Sequence, residues 1–286
     1  MYRVALLLIC LLITSSAIAA DNTQKQKKTK GTAVSAKKVV KPWEPTAFTQ
    51  EGERLPVGYS GLDPKKFYAM FKSKTEGLKK DEFETSEEFA LRTANNDALL
   101  APINTSDLYA FQMENLFIEY DADAQAYTIK FLCKKTFYSS DQNLTCKVAT
   151  LTREVATYTG QNSYGASVTV RRTRGSDFAL SILNTTPFFN TMFTHAKSLN
   201  STYSYKDTFS VPSERARNLK DLKIGILFVG RVTGAKLVEG SASFIEPEID
   251  NPHDLLITQI AVPFDVKKVV YYVIETGEVL GQKDFE

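Results

Sequence analysis

Two carboxylates and an imidazole fall within the five residues Asp250-Asn251-Pro252-His253-Asp254. Carboxylates and neutral imidazole are ligands that divalent ions take, so Asp250, His253 and Asp254 form a weak metal candidate. Asn-Pro is also a turn dipeptide, and a polar turn leading into a strand is the plainer reading of the same residues. The only other histidine, His195, sits among Phe193, Thr194 and Lys197 with no acid close in sequence. Two imidazoles leave a nucleophilic hydrolase short of the base that usually sits beside its Ser or Cys. Gly58-Tyr59-Ser60-Gly61 lacks the spacing of a nucleophile elbow and reads as a turn. There is no Walker loop, dinucleotide fingerprint or H-E-x-x-H helix. No catalytic residue and no cofactor can be assigned from spacing alone.

Arg171, Arg172 and Arg174, with Tyr158 and Tyr164 upstream, are the residue types that stack on bases or grip anionic glycans. In a strand Arg172 and Arg174 share a face and Arg171 takes the other, which narrows the patch. A solvated edge strand guarded by its charges is the simpler reading, and nucleic acid is not an expected partner.

The chain opens with Arg3, an apolar run from Val4 to Ile13, and Ala17-Ile18-Ala19 before the polar Asp21. Such a run falls short of the roughly 20 residues that cross a bilayer, and A-x-A is a signal-peptidase pattern. Residues 1–20 are therefore expected to be a cleaved export signal, leaving no transmembrane segment in the mature protein. Cleavage would remove Cys10, and Cys133 and Cys146 would then meet an oxidising compartment as the only thiols. A structural disulfide between them follows, closing a loop of about 14 residues and contributing roughly 3 kcal/mol. Their wide spacing argues against a redox pair.

Overall charge is +2, from 35 basic and 33 acidic residues, but it is unevenly spread. Residues 21–41 hold seven lysines (Lys25, Lys27, Lys28, Lys30, Lys37, Lys38 and Lys41) against Asp21. With no aromatic residue this stretch cannot bury enough apolar surface to order itself, so 21–45 reads as a basic disordered linker ending in the stiff Lys41-Pro42-Trp43-Glu44-Pro45. Its lysines suit anionic lipid or other acidic envelope polymers, at about 1 kcal/mol each near an anionic surface. The domain that follows, from residue 42, carries 27 basic and 32 acidic residues, a net −5. The acidic domain is itself a second candidate for what the arm contacts.

Elements must position whatever chemistry exists. Asp63-Pro64 starts a helix that puts Phe67, Met70 and Phe71 on one side. Thr85 and Glu88 form a capping box, with Glu88 and Arg92 spaced for an ion pair. Ser210 and Pro212 predict a third helix ending near Lys220. Tyr127, Ile129, Phe131 and Cys133 alternate with Thr128 and Lys130, the mark of a half-buried strand that pairs through residues 121–126 with Leu116–Tyr120. Strands are also predicted over 146–157, 166–172, 178–183, 255–262 and 269–275, with turns at Thr159-Gly160-Gln161-Asn162 and Arg174-Gly175-Ser176-Asp177. The unbroken apolar run Ile224–Gly230 predicts a strand covered on both faces. Glu275-Thr276-Gly277-Glu278 predicts a final hairpin turn. The fold class is α+β, a mainly antiparallel sheet with about three helices over residues 46–286. A division into two subdomains near residue 200 is left open.

The segment Phe83-Glu84-Thr85-Ser86-Glu87-Glu88-Phe89-Ala90-Leu91-Arg92 resembles uncharacterised bacterial exported proteins that carry phenylalanine-glutamate-threonine, an acidic pair, an aromatic residue and an arginine. The resemblance implies an envelope location, periplasm or cell surface, and no activity. The leading expectation is an exported binding or interaction protein without an evident catalytic site, which meets envelope polymers, a lipid surface or another envelope protein. The alternative is an exported hydrolase, with or without a metal held by Asp250, His253 and Asp254.

Overall fold

The computed structural model describes residues 43–50, 52–76, 78, 80–94, 96–114, 116–135, 143–194, 202–239 and 243–286. The expected export signal, the seven arm lysines and His195 lie outside these residues. Five helices are described: α1 (Pro64–Thr75), α2 (Ser86–Thr93), α3 (Asn96–Leu100), α4 (Pro187–Met192) and α5 (Ser213–Asn218). Strands dominate, as β1 (Tyr109–Gln112), β2 (Phe117–Asp121), β3 (Ala126–Lys135), β4 (Leu144–Gln161), β5 (Ser167–Ile182), β6 (Phe193–Thr194) and β7 (Thr202–Ser210). They continue with β8 (Ile224–Val232), β9 (Val238–Glu239), β10 (Ser243–Ile245), β11 (His253–Val273) and β12 (Val279–Asp284). The two helices beyond the expected three, α3 and α4, have five and six residues, too short for a 3.6-residue period to register.

Helix α1 forms where its caps place it. Asp63 Oδ1 accepts from the Lys65 and Lys66 amides at 3.0 Å, and Pro64 supplies the fixed φ of the first turn. Its buried Phe67 and Phe71 face the sheet, where Phe67 meets Phe111 edge-on at 5.0 Å. The capping box of α2 is complete between Thr85 and Glu88. Glu88 is held there, and Arg92 reaches Glu84 instead, at 2.7 and 2.9 Å. For α5 the capping position is Pro212, not Ser210. Ser210 is held opposite Ala126 at the end of the β7 ladder, so sheet pairing decides where this helix can start.

The twelve strands form one sheet with the path β1-β8-β11-β5-β4-β3-β7-β6. All pairings are antiparallel except β5 with β11. Hairpins β2–β3 and β4–β5 follow the expected meander, but β3 also takes β7, and β5 takes β11 from the far end of the chain. β8 lies between β1 and β11 with six consecutive buried residues, as its apolar run requires.

Further expectations fail for identifiable reasons. Arg174-Gly175-Ser176-Asp177 is not a turn but the middle of β5. A Cβ on Gly175 would lie 2.3 Å from the Thr152 carbonyl oxygen, so this glycine permits close strand approach beside the register shift at Thr150/Thr152. Residues 255–262 and 269–275 are not separate strands but parts of the 21-residue β11. Pro263, without an N–H, ends the parallel ladder with β5, and from Phe264 the same strand pairs with β8. The arginine-bearing part of β5 is no edge, since β4 and β11 flank it.

Candidate functional site

Period two along β3 sends Ile129, Phe131 and Cys133 into the core and Lys130, Leu132 and Lys134 to the other face. On β4, Cys146 likewise points inward beside Lys147. Cys133 and Cys146 are fully buried and joined by a disulfide across a Cα separation of 4.4 Å. Each half-cystine is thus followed along its strand by a lysine on the opposite face.

The cystine sits where the strands divide. Among the described residues β3 pairs with β2 as far as Lys130 and with β4 at Lys134 and Lys135, while β4 goes on to pair with β5. At this fork opens a cleft of about 530 Å³, lined by Phe117, Leu132, Lys134, Lys147, Asp177, Ser243 and Gln259 among others. Phe117 and Leu132 stand 59% and 66% exposed and give it an apolar wall.

The polar groups differ in how well they are matched. Lys147 lies 3.5 Å from Asp177 and 3.8 Å from Glu114, and Arg153 also binds Asp177, at 2.5 Å. Lys130 approaches Glu119 at 3.9 Å. Half-buried Lys134 makes no ion pair with a described carboxylate; its Nζ lies 2.5 Å from the Ser243 hydroxyl oxygen. Burial pushes the Lys134 ammonium below the usual lysine pKa, partly opposed by the charge of Asp177. Gln259, opposite Asp177 in the β5–β11 register, accepts at Oε1 from the Thr145 hydroxyl at 2.8 Å. That bond leaves its side-chain amide as a donor at the cleft.

Of the residues singled out by sequence, only the cysteines mark this place. Ser243 and Lys134 are 109 positions apart and come together through β10 pairing on β11 and the fork in β3 and β4, which no local pattern announces. The metal candidates are not assembled. Asp254 is buried while its neighbour His253 is exposed on the other face of β11, and no cluster of three His, Cys, Asp or Glu side chains suits a metal among the described residues. Asp254 instead binds Arg174 at 2.7 Å and Arg172 at 3.0 Å. Burial pulls its carboxyl upward, but bonding to the two guanidiniums outweighs this and holds it below the usual carboxylate range. The Arg172 guanidinium also stacks 4.5 Å over Tyr158, so much of the expected cationic patch is spent within the protein.

A second polar cluster joins β7 to β11 and β12. The Tyr205 and Tyr271 hydroxyls lie 2.5 Å apart, Tyr271 donates to Asp207, and Lys283 Nζ sits 3.5 Å from that carboxylate. Burial raises both phenol pKa values and keeps them neutral, and Phe209 stacks on Tyr271 at 4.6 Å. This cluster satisfies buried hydroxyls beneath aromatic rings. Among the described residues no helix is long and apolar enough to cross a membrane. No family model, curated protein or solved structure matches this chain.

Proposed function

We propose that this is an exported bacterial envelope protein that binds amphiphilic anions in the cleft at the β3–β4 fork. The observation that carries the reading is Lys134, a half-buried cation with no carboxylate partner among the described residues, set beside the apolar Phe117 and Leu132. A carboxylate entering the cleft supplies the charge Lys134 lacks, while an alkyl chain covers the exposed wall. The buried disulfide and the resemblance around Phe83–Arg92 support export to the periplasm or surface. The seven lysines of residues 21–41 hold the protein near anionic lipid or envelope polymers, where such ligands collect.

Calorimetric titration with decanoate tests the site. Lys134→Met should weaken binding by about 10- to 100-fold, the loss of one charge-assisted hydrogen bond. Binding should also fall as pH rises through the depressed Lys134 pKa. Equal affinity in the variant would overturn the reading.

A further inference from the structure

Lys134 does more than carry charge in this cleft. Its Nζ lies 2.5 Å from Ser243 Oγ, within the reach that a base needs to take a hydroxyl proton. The same cleft presents the Gln259 amide, a donor of the kind that meets the negative oxygen formed when a carbonyl is attacked. We propose that Ser243 is a nucleophile and Lys134 its general base, acting on esters of alkyl carboxylic acids. The proposal rests on the binding reading, because the acid released is the very anion that protonated Lys134 would hold.

The chemistry balances without any metal or redox partner. Neutral Lys134 takes the Oγ proton as Oγ bonds to the carbonyl carbon, and the oxygen that gains charge meets Gln259. The bond to the alcohol oxygen then breaks, and the alcohol leaves with the proton from Lys134. Water, deprotonated by the same amine, cleaves the acyl–serine ester, freeing the carboxylic acid and restoring the hydroxyl. Desolvation at the fork favours the neutral amine this requires. The charges around it are Lys130 on its own strand, Lys147 on β4, Asp177 on β5 and Glu114 ahead of β2. Lys147 and Asp177 largely offset each other at 3.5 Å, so the field on Lys134 is set by burial more than by any one neighbour.

The test is phosphonylation of the intact protein by a decyl fluorophosphonate, in which Oγ displaces fluoride and Lys134 takes the proton. One added group at Ser243, located by peptide mass spectrometry and absent from Ser243→Ala, is the expected result. Lys134→Arg removes the base and should label at least about 100-fold more slowly than wild type. Labelling should quicken with rising pH, up to an apparent pKa below the 10.5 of a solvated lysine, while decanoate binding weakens over the same range. Decanoate binding without Ser243 labelling, or labelling at equal rates in wild type and Lys134→Arg, would overturn this inference and leave the binding reading standing. Ser243 labelling in a protein that does not bind decanoate would uphold the nucleophile and overturn the binding reading.

Discussion

A carboxylate as enclosed as that of Asp254 is tolerated only where donors and cations meet it. Arg172 and Arg174 do so from the neighbouring strand, and the Tyr158 hydroxyl adds a longer bond at 3.4 Å. That Arg172 and Arg174 share a face is legible in sequence, because two residues is the period of a strand. Their partner, 80 positions away from Arg174, is not, since nothing local to either segment reports a parallel pairing between β5 and β11. The weak metal candidate weighed Asp254 with its chain neighbours, whereas its observed partners, Arg172 and Arg174, lie on the neighbouring strand. Because its pKa is lowered in the folded protein, the paired carboxylate stabilises above the unfolded value of about 3.9 and stops doing so as pH falls through the folded value. Asp254→Asn should therefore lower the urea midpoint at pH 7, and the gap from wild type should narrow below about pH 4. A gap of constant size across that range would show that the loss is not one of charge.

Elements with a local cause were readable, and those set by distant pairing were not. Asp63-Pro64, Thr85 with Glu88, the alternation from Tyr127 to Cys133 and the apolar run of β8 each carry their structure in a few adjacent residues. Gly175 was read as part of a turn, yet it admits a close strand, and Pro263, just past a strand expected to end at 262, hands β11 from β5 to β8. The fork belongs to this second kind: β3 and β4 share two paired positions among the described residues, and the cystine beside them adds a covalent connection. Replacing both cysteines, as Cys133→Ser with Cys146→Ser, should cost roughly 3 kcal/mol by freeing the unfolded chain. It should also weaken decanoate binding, because Lys134 and Lys147 are the residues next to the two half-cystines. Chemical denaturation and calorimetry on the same variant separate these effects. A stable double mutant that binds decanoate as well as wild type would show that the fork holds its shape without the bond.

At the scale of the whole molecule, near-neutral overall charge conceals two opposed parts. Residues 21–41 contribute +6 and residues 42–286 contribute −5, so each part attracts what the other repels. An acidic domain alone would be pushed away from anionic lipid, whereas seven lysines at about 1 kcal/mol each near such a surface outweigh that repulsion at low ionic strength. Salt screens such an attraction, over about 10 Å at 0.1 M. Sedimentation with phosphatidylglycerol vesicles should show the protein with its arm bound at low salt and released as salt rises. Protein lacking residues 21–41 should stay in solution throughout, with the decanoate affinity of its cleft unchanged. Binding that is equal with and without the arm, and indifferent to salt, would assign attachment to the domain itself and remove the lysines from the proposal.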